Sequence, residues 1–66
     1  MKVNLNGQIF MLEADQTLAE FLTARNYDPK RVAVMRNGEI VTRALFESQK
    51  ICEDDELEVV SFVGGG

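Results

Sequence analysis

The stretch MKVNLNGQIFML, residues 1–12, carries the pattern that decides the fold. Its Asn6-Gly7 pair lies between two apolar runs, and this dipeptide is the strongest short-range signal for a hairpin with a two-residue loop. Such a loop pairs Leu5 with Gln8, and residues that lie opposite each other share one face of the sheet. One face then collects the apolar residues Met1, Val3, Leu5, Phe10 and Leu12. The pattern therefore predicts a hairpin whose apolar face is turned to the core.

Two further strands follow from a second Asn-Gly pair. Asn37-Gly38 joins residues 32–36 to residues 39–41, and both segments are rich in apolar residues. A last strand is expected over residues 56–63, after an acidic turn at residues 54–55. The sequence therefore contains segments for four to five strands.

A helix is expected between the two hairpins. Thr17 and Glu20 have the spacing of a capping box, in which each side chain bonds the backbone N–H of the other residue. The apolar positions that follow have helical i, i+3, i+4 spacing. They are Leu18, Phe21 and Leu22. Asn26 can end the helix in a left-handed conformation, and Pro29 blocks its continuation.

The order of these elements predicts the fold class. A second, short helical turn is expected over residues 42–49, anchored by Leu45 and Phe46. Hairpin, helix, hairpin, helical turn and final strand is the order of an α+β, β-grasp (ubiquitin-like) fold. We expect a mixed sheet of four to five strands, with one main helix packed on one face and the first and last strands as central neighbours. Residues 1–66 would form a single domain, with a flexible tail at residues 64–66.

Length and composition exclude most catalytic chemistry. A chain of 66 residues builds one modest core. It contains no histidine, which excludes a histidine base and histidine-ligated metals. Its single cysteine excludes an internal disulfide, four-thiolate zinc and iron–sulfur clusters held by thiolates of this chain. We expect neither a catalytic residue nor a metal site.

The charge balance limits the classes of partner that the chain is expected to bind. Seven basic against eleven acidic residues give a net charge of −4, so nucleic acid, whose phosphates need clustered Lys and Arg, is not expected. No apolar stretch approaches the roughly 18 residues of a membrane span, and the N-terminus lacks the apolar run of a signal peptide. One free thiol and no export signal predict a cytoplasmic protein, and we expect a monomer when it is free.

The last strand carries an unusual surface. Five acidic residues crowd into residues 53–58. They form either a solvated turn and strand edge or a negative patch that steers the C-terminal end toward a basic partner. Beyond them, the outward positions change to the apolar Val60 and Phe62. These two side chains either lie under a neighbouring segment or, together with Val63, form a docking patch for a partner.

The sequence ends in Gly64-Gly65-Gly66. Glycine packs no core and costs the most backbone entropy to order, so the tail is either a frayed end or a thin arm that enters a narrow channel. Its last group is a carboxylate, which is ionised at neutral pH and is a poor electrophile. It becomes reactive only as a mixed anhydride, for example with AMP. The chain has no nucleotide-binding loop for that step, so the pattern predicts a tail on which another enzyme acts.

Three stretches resemble the ThiS family of prokaryotic sulfur carriers. Residues 17–22 are similar to the family's first helix. Residues 37–46 are similar to its Asn-x-x-Ile-Val-Pro-Arg-x-x-Trp segment, with Thr42 for proline and Phe46 for tryptophan. Residues 54–66 are similar to its last strand and tail, although the turn that is Asp-Gly-Asp in the family is wholly acidic here. The likeness spans the whole chain.

The resemblance implies a protein cosubstrate and not an enzyme. An E1-like adenylyltransferase (ThiF) would use MgATP to adenylate the carboxylate of Gly66, while Gly64 and Gly65 supply the thin arm. The chain itself would bind no cofactor. Sulfur from a cysteine desulfurase would displace AMP and leave a thiocarboxylate. Thiazole synthase (ThiG) would then take this sulfur to build the thiazole of thiamine.

Other interpretations share the fold. The small subunit of molybdopterin synthase has the same kind of tail, but those chains usually carry a longer insertion after the first helix, where this chain has the short link of residues 27–30. Another ubiquitin-like sulfur carrier or a conjugated modifier would begin with the same tail chemistry. A plain ubiquitin-like interaction domain with an inert end belongs to a different functional class.

Cys52 is the one thiol of the chain. In a protein that handles sulfur, it is a candidate carrier of a persulfide. No cation lies next to it in sequence to favour the thiolate. The sequence therefore predicts a half-buried structural cysteine instead.

Overall fold

The structure is a computed structural model that describes residues 1–13 and 15–62. This part of the chain contains five strands and one α-helix: β1 (Lys2–Leu5), β2 (Gln8–Met11), α1 (Leu18–Ala24), β3 (Val32–Arg36), β4 (Glu39–Val41) and β5 (Glu56–Ser61). Two short 3-10 helices lie between them, Pro29–Arg31 before β3 and Arg43–Leu45 after β4. The predicted order of elements is confirmed.

The strands form one mixed sheet in the order β2-β1-β5-β3-β4. β1 and β5 are parallel neighbours, and the other adjacent pairs are antiparallel. The prediction that the first and last strands lie side by side is therefore confirmed. A mixed five-stranded sheet with one main helix packed on one face is the predicted β-grasp fold.

The first hairpin has the register that its sequence predicts. Leu5 lies opposite Gln8, and the two turn residues Asn6 and Gly7 have positive φ angles of 51° and 84°. Two positive φ angles define the type I′ turn that Asn-Gly favours. Asn37-Gly38 repeats this geometry with φ angles of 50° and 84°. Both hairpins are therefore set by local turn chemistry.

Helix α1 begins at the predicted capping box. Thr17 Oγ1 accepts a hydrogen bond from the Glu20 N–H at 3.2 Å, and Glu20 Oε1 accepts one from the Thr17 N–H at 2.9 Å. The backbone N–H of Thr17 lowers the pKa of the Glu20 carboxyl below its ordinary value, and the Thr17 side chain adds to the effect. After the helix, Asn26 has a positive φ of 65°, and Pro29 begins the first 3-10 helix. Both ends of the helix are as predicted.

The buried apolar side chains form one cluster on the side of the sheet that α1 covers. Its members are Val3, Leu5, Leu12, Leu18, Phe21, Leu22, Val32, Val34, Phe46, Ile51, Leu57 and Val59. Phe46 is buried as expected, but Leu45 is 46% exposed, so the prediction that both anchor the second turn is wrong. Neighbouring residues of a helical turn point in different directions, and one of the two therefore reaches the core. None of the helices in the described ranges is both long and apolar enough to cross a membrane.

Candidate functional site

The candidate site lies at the C-terminal end of β5, where the chain leaves the sheet. The described residues end at Phe62, so the predicted docking residue Val63 and the predicted tail Gly64, Gly65 and Gly66 lie outside them. The geometry of the site is therefore that of the strand and sheet face from which the tail starts.

Val60 and Phe62 lie on the face of the sheet opposite α1. Alternate residues of a strand point to opposite faces, and Leu57 and Val59 are buried in the core, whereas Val60 is 61% exposed and Phe62 is 56% exposed. The interpretation that a neighbouring segment covers these two side chains is wrong for the part of the chain that the structure describes. An apolar pair thus faces solvent directly before the tail.

β3 holds this end of β5 in place. Val60 lies opposite Ala33 in the antiparallel pairing of β3 with β5. The Phe62 N–H donates a hydrogen bond to the carbonyl oxygen of Arg31 at 2.8 Å. The pairing therefore extends to the last described residue and fixes which face Phe62 occupies.

The acidic residues in the segment 53–58, which precedes this surface, make different contacts. Asp54 lies 3.5 Å from the ammonium group of Lys2, and Glu53 accepts a hydrogen bond from the Lys2 backbone N–H at 2.7 Å. Glu56 and Glu58 are exposed, and they lie on the same outer face as Val60. The outer face therefore carries the carboxylates of Glu56 and Glu58 beside the apolar pair. The side chains of Glu53 and Asp54 instead contact Lys2.

Asp55 has a structural role that the sequence did not reveal. It is only 4% exposed, and its carboxylate lies 2.9 Å from Arg36 Nε. It also accepts hydrogen bonds from Asn37 Nδ2 at 3.1 Å and from the Cys52 N–H at 2.8 Å. The charge of Arg36 and two hydrogen-bond donors compensate the loss of hydration that burial of a carboxylate would otherwise cost. The bond with Cys52 is local, whereas no local pattern links Asp55 to Arg36 and Asn37, which the pairing of β3 with β5 brings to it.

Cys52 belongs to the surface edge of this network. It is exposed and makes no disulfide, so the prediction of a half-buried thiol is wrong. Arg36 Nη2 lies 3.1 Å from its sulfur, and the sheet therefore supplies a cation that the neighbouring sequence does not. Cys52 lies four residues before β5, near the end of the strand that is farther from the tail, and Ser61 lies about 20 Å farther along the strand axis than Asp55. The thiol is thus remote from the candidate site.

No cluster of three or more His, Cys, Asp or Glu side chains that could hold a metal ion occurs within residues 1–13 and 15–62. The geometry of the site is that of a surface: an exposed apolar pair, two carboxylates on the same face, and a strand directed into the tail. Such an arrangement can bind another protein and present the tail to it.

Comparison with known proteins gives consistent matches over the whole chain. The family model of the ThiS family matches residues 3–66. The chain is 34% identical to the sulfur carrier protein ThiS of Bacillus subtilis over 65 residues, which cover 97% of this chain and 98% of that protein. The crystal structure of the thiamine biosynthesis protein ThiS from Geobacter metallireducens superimposes with a TM-score of 0.83 at 28% identity, and the match covers 100% of both chains.

Two relatives are much longer proteins. The chain is 42% identical over 66 residues to a thiazole synthase of Magnetococcus marinus and 36% identical over 66 residues to a thiazole synthase of Paramagnetospirillum magneticum. It spans 20% of the length of each of these two proteins. A segment similar to this whole chain therefore forms part of each of them.

Proposed function

The chain belongs to the ThiS family of sulfur carriers in thiamine biosynthesis, and from this premise we propose that the carboxylate of Gly66 is the group that carries the sulfur. The observation behind the proposal is the extent of the family match, which runs from residue 3 to residue 66 and so includes the three terminal glycines. A carrier of this family is a cosubstrate and not a catalyst. The groups that act on its tail belong to other proteins.

The proposed chemistry has two stages. In the first, a carboxylate oxygen of Gly66 attacks the α-phosphorus of MgATP in an E1-like adenylyltransferase, and pyrophosphate leaves. In the second, the outer sulfur of a cysteine desulfurase persulfide attacks the carbonyl of the adenylate, and AMP leaves. A further thiol then attacks the desulfurase sulfur of the resulting acyl disulfide, which releases the thiocarboxylate of Gly66 and leaves a disulfide. Gly64 and Gly65 serve as the arm, since residues without a Cβ pass through a narrow channel. The nucleotide is held by the adenylyltransferase, and this chain needs no cofactor of its own.

Val60, Phe62 and Val63 are the proposed docking surface for these enzymes. In support, Val60 and Phe62 are exposed and directly precede the arm. The carboxylates of Glu56 and Glu58 give the same face a negative charge, which suits a partner with basic side chains around its apolar contact.

Thiazole synthase is the proposed acceptor of the sulfur. A segment similar to this whole chain forms 20% of a thiazole synthase of Magnetococcus marinus, which supports a close association of carrier and synthase. The proposal has the protein act in the cytoplasm as a monomer when it is free.

The experiment that tests the proposal varies the length of the arm. Deleting Gly66 shortens the arm by about 3.3–3.6 Å, and a displacement of reacting groups by only about 1 Å already costs much of the rate. The shortened chain still ends in two glycines, so the type of terminus is unchanged. We expect ATP–pyrophosphate exchange with the E1-like partner to fall severely while the melting temperature stays unchanged, because terminal residues contribute little to stability.

A variant with one residue added after Gly66 should be equally inactive, because its carboxylate overshoots the phosphate. Intact mass spectrometry gives a second measurement, since replacement of one oxygen atom by sulfur identifies the thiocarboxylate. Full exchange with the shortened or the extended terminus would refute the assignment of Gly66 and leave an interaction domain.

A further inference from the structure

The asparagines of the two Asn-Gly turns both hold β5 through their side chains. Asn6 Nδ2 donates a hydrogen bond to the Val59 carbonyl oxygen at 3.1 Å, and Asn6 Oδ1 accepts one from the Val59 N–H at 2.9 Å. At the other turn, Asn37 Nδ2 donates to Asp55 Oδ1 at 3.1 Å, and Asn37 Oδ1 accepts from the Glu56 N–H at 2.9 Å. One asparagine therefore holds the start of β5 and the other holds its C-terminal half.

The side chain of Asn6 provides the hydrogen-bond partners that the backbone of β1 does not offer to Val59. β1 ends at Leu5, and the Asn6 N–H still donates to the Leu57 carbonyl oxygen at 2.9 Å. The chain then turns away at Gly7, so the backbone of β1 offers Val59 no partner. The carboxamide of Asn6 supplies the donor and the acceptor that one more strand residue would have supplied. It extends the pairing of β1 with β5 by one step toward the tail.

Beyond Val59, β5 is paired on one side. Ser61 lies opposite Val32 of β3, and the Phe62 N–H donates a hydrogen bond to the Arg31 carbonyl oxygen. On the side of β1, among the residues that the structure describes, the two bonds from Asn6 are the last ones to β5. Asn6 is therefore the contact that sets the direction of the strand on its open side.

We propose that Asn6 is a positioning residue for the chemistry at Gly66, an inference that rests on the proposed function. Among the described residues, the two bonds from Asn6 are the last restraint on the β1 side of β5 before the chain leaves the sheet. Loss of this restraint shifts the point from which the tail starts, and reacting groups lose much of their rate at a displacement of about 1 Å.

The chain offers a matched pair of variants for the test, Asn6→Gly and Asn37→Gly. The φ angles of the two asparagines are 51° and 50°, and glycine adopts them without strain. Each variant turns Asn-Gly into Gly-Gly and removes two side-chain hydrogen bonds: both bonds to Val59 for Asn6→Gly, and for Asn37→Gly one bond to Glu56 at the start of β5 and one to the buried Asp55 just before it. The two variants differ in which end of the strand they release.

Steady-state ATP–pyrophosphate exchange with the E1-like adenylyltransferase, at varied carrier concentration, separates docking from positioning. We expect Asn6→Gly to lower kcat about tenfold, since a misplacement of about 1 Å costs about 100-fold and the pairing of β5 with β3 still limits the shift. Its KM for the carrier should stay within about twofold, because the docking side chains Val60 and Phe62 are unchanged. Asn37→Gly should leave both kcat and KM within about twofold of the wild type. Thermal unfolding of both variants measures how far each substitution lowers the melting temperature.

A third variant keeps the inference testable if Asn6→Gly does not fold. Asn6→Asp retains the acceptor for the Val59 N–H and tolerates the left-handed conformation, but it places an oxygen where Nδ2 donates to the Val59 carbonyl, so repulsion replaces that bond. Its kcat should fall below that of the wild type. An unchanged kcat in a folded Asn6 variant, an equal loss of kcat in Asn37→Gly, or a rise in KM alone would overturn the inference. If the wild-type protein supports no ATP–pyrophosphate exchange, the proposed function is wrong, and this inference is wrong with it.

Discussion

Substitution of Phe62 by alanine tests whether the outer face of β5 is a docking surface. Phe62 is 56% exposed, so less than half of its surface is covered by the residues described. Full burial of an apolar side chain of this size is worth roughly 1.5–3 kcal/mol, and the covered part is worth about 1 kcal/mol on the same scale. Phe62→Ala should therefore lower the free energy of unfolding by about 1 kcal/mol, or the melting temperature by about 4–8 °C in a domain of this size.

The effect on binding should be larger than the effect on stability. Truncation of a central aromatic side chain of an interface typically costs about 2 kcal/mol or more. We expect Phe62→Ala to weaken the complex with the adenylyltransferase by at least about tenfold. The melting temperature is measured by circular dichroism and the dissociation constant by titration calorimetry, both with the full chain.

Ile9→Ala is the matched control. Ile9 is 53% exposed, and it lies opposite Asn4 on the same outer face but on the edge strand β2. It is thus as exposed as Phe62 while lying away from the tail. We expect a similar small loss of stability and an unchanged affinity.

Two results would refute this reasoning. An unchanged affinity of a folded Phe62→Ala variant, or an equal loss of affinity in Ile9→Ala, would show that this end of the sheet is not a specific docking surface. A loss of about 3–5 kcal/mol, as for truncation of a buried phenylalanine such as Phe46, would place Phe62 in the core instead.

Three further predictions follow from particular contacts. Cys52→Ser should form the thiocarboxylate as fully as the wild type by intact mass, since the thiol lies at the far end of β5; loss of the product in a folded variant would contradict this. Asp54 has a positive φ of 64°, so Asp54→Gly should raise the free energy of unfolding by about 0.5–1 kcal/mol in urea denaturation, and a less stable variant would show that the contacts of the side chain outweigh the backbone strain. The folded pKa of Glu20 is depressed by its bonds with Thr17, so its contribution to stability is present above the unfolded pKa and is lost as the pH falls through the folded pKa. The urea midpoint of Glu20→Gln should therefore fall less than that of the wild type between neutral pH and about pH 3, and equal falls would show that the cap does not titrate with folding.

Elements that depend on local chemistry can be predicted from the sequence alone. The Asn6-Gly7 pair specifies a type I′ turn because asparagine and glycine tolerate positive φ. The capping box of Thr17 and Glu20 specifies the start of α1 because both hydrogen bonds lie within one helical turn. Alternation along β5 separated the buried Leu57 from the outward Val60, because the side-chain period of a strand is two residues. These signals act over a few residues, so they can be read without the fold.

The candidate site was predicted in part. The alternation along β5 placed Val60 and Phe62 on the outer face, but two interpretations, covered or exposed, were equally compatible with it. Exposure depends on whether another segment crosses that face, which is a property of the whole chain. The docking role of Val60, Phe62 and Val63 and the chemistry of Gly66 stay predictions.

The tertiary structure decided the contacts between residues that are distant in sequence. Asp55 meets Arg36 and Asn37 because β3 pairs with β5, and Arg36 reaches the sulfur of Cys52 for the same reason. Asn6 reaches Val59, 53 residues away, because β1 lies parallel to β5 and ends one step short of it. Such contacts carry no local pattern, since their partners are chosen by the order of strands in the sheet and by the register of each pair.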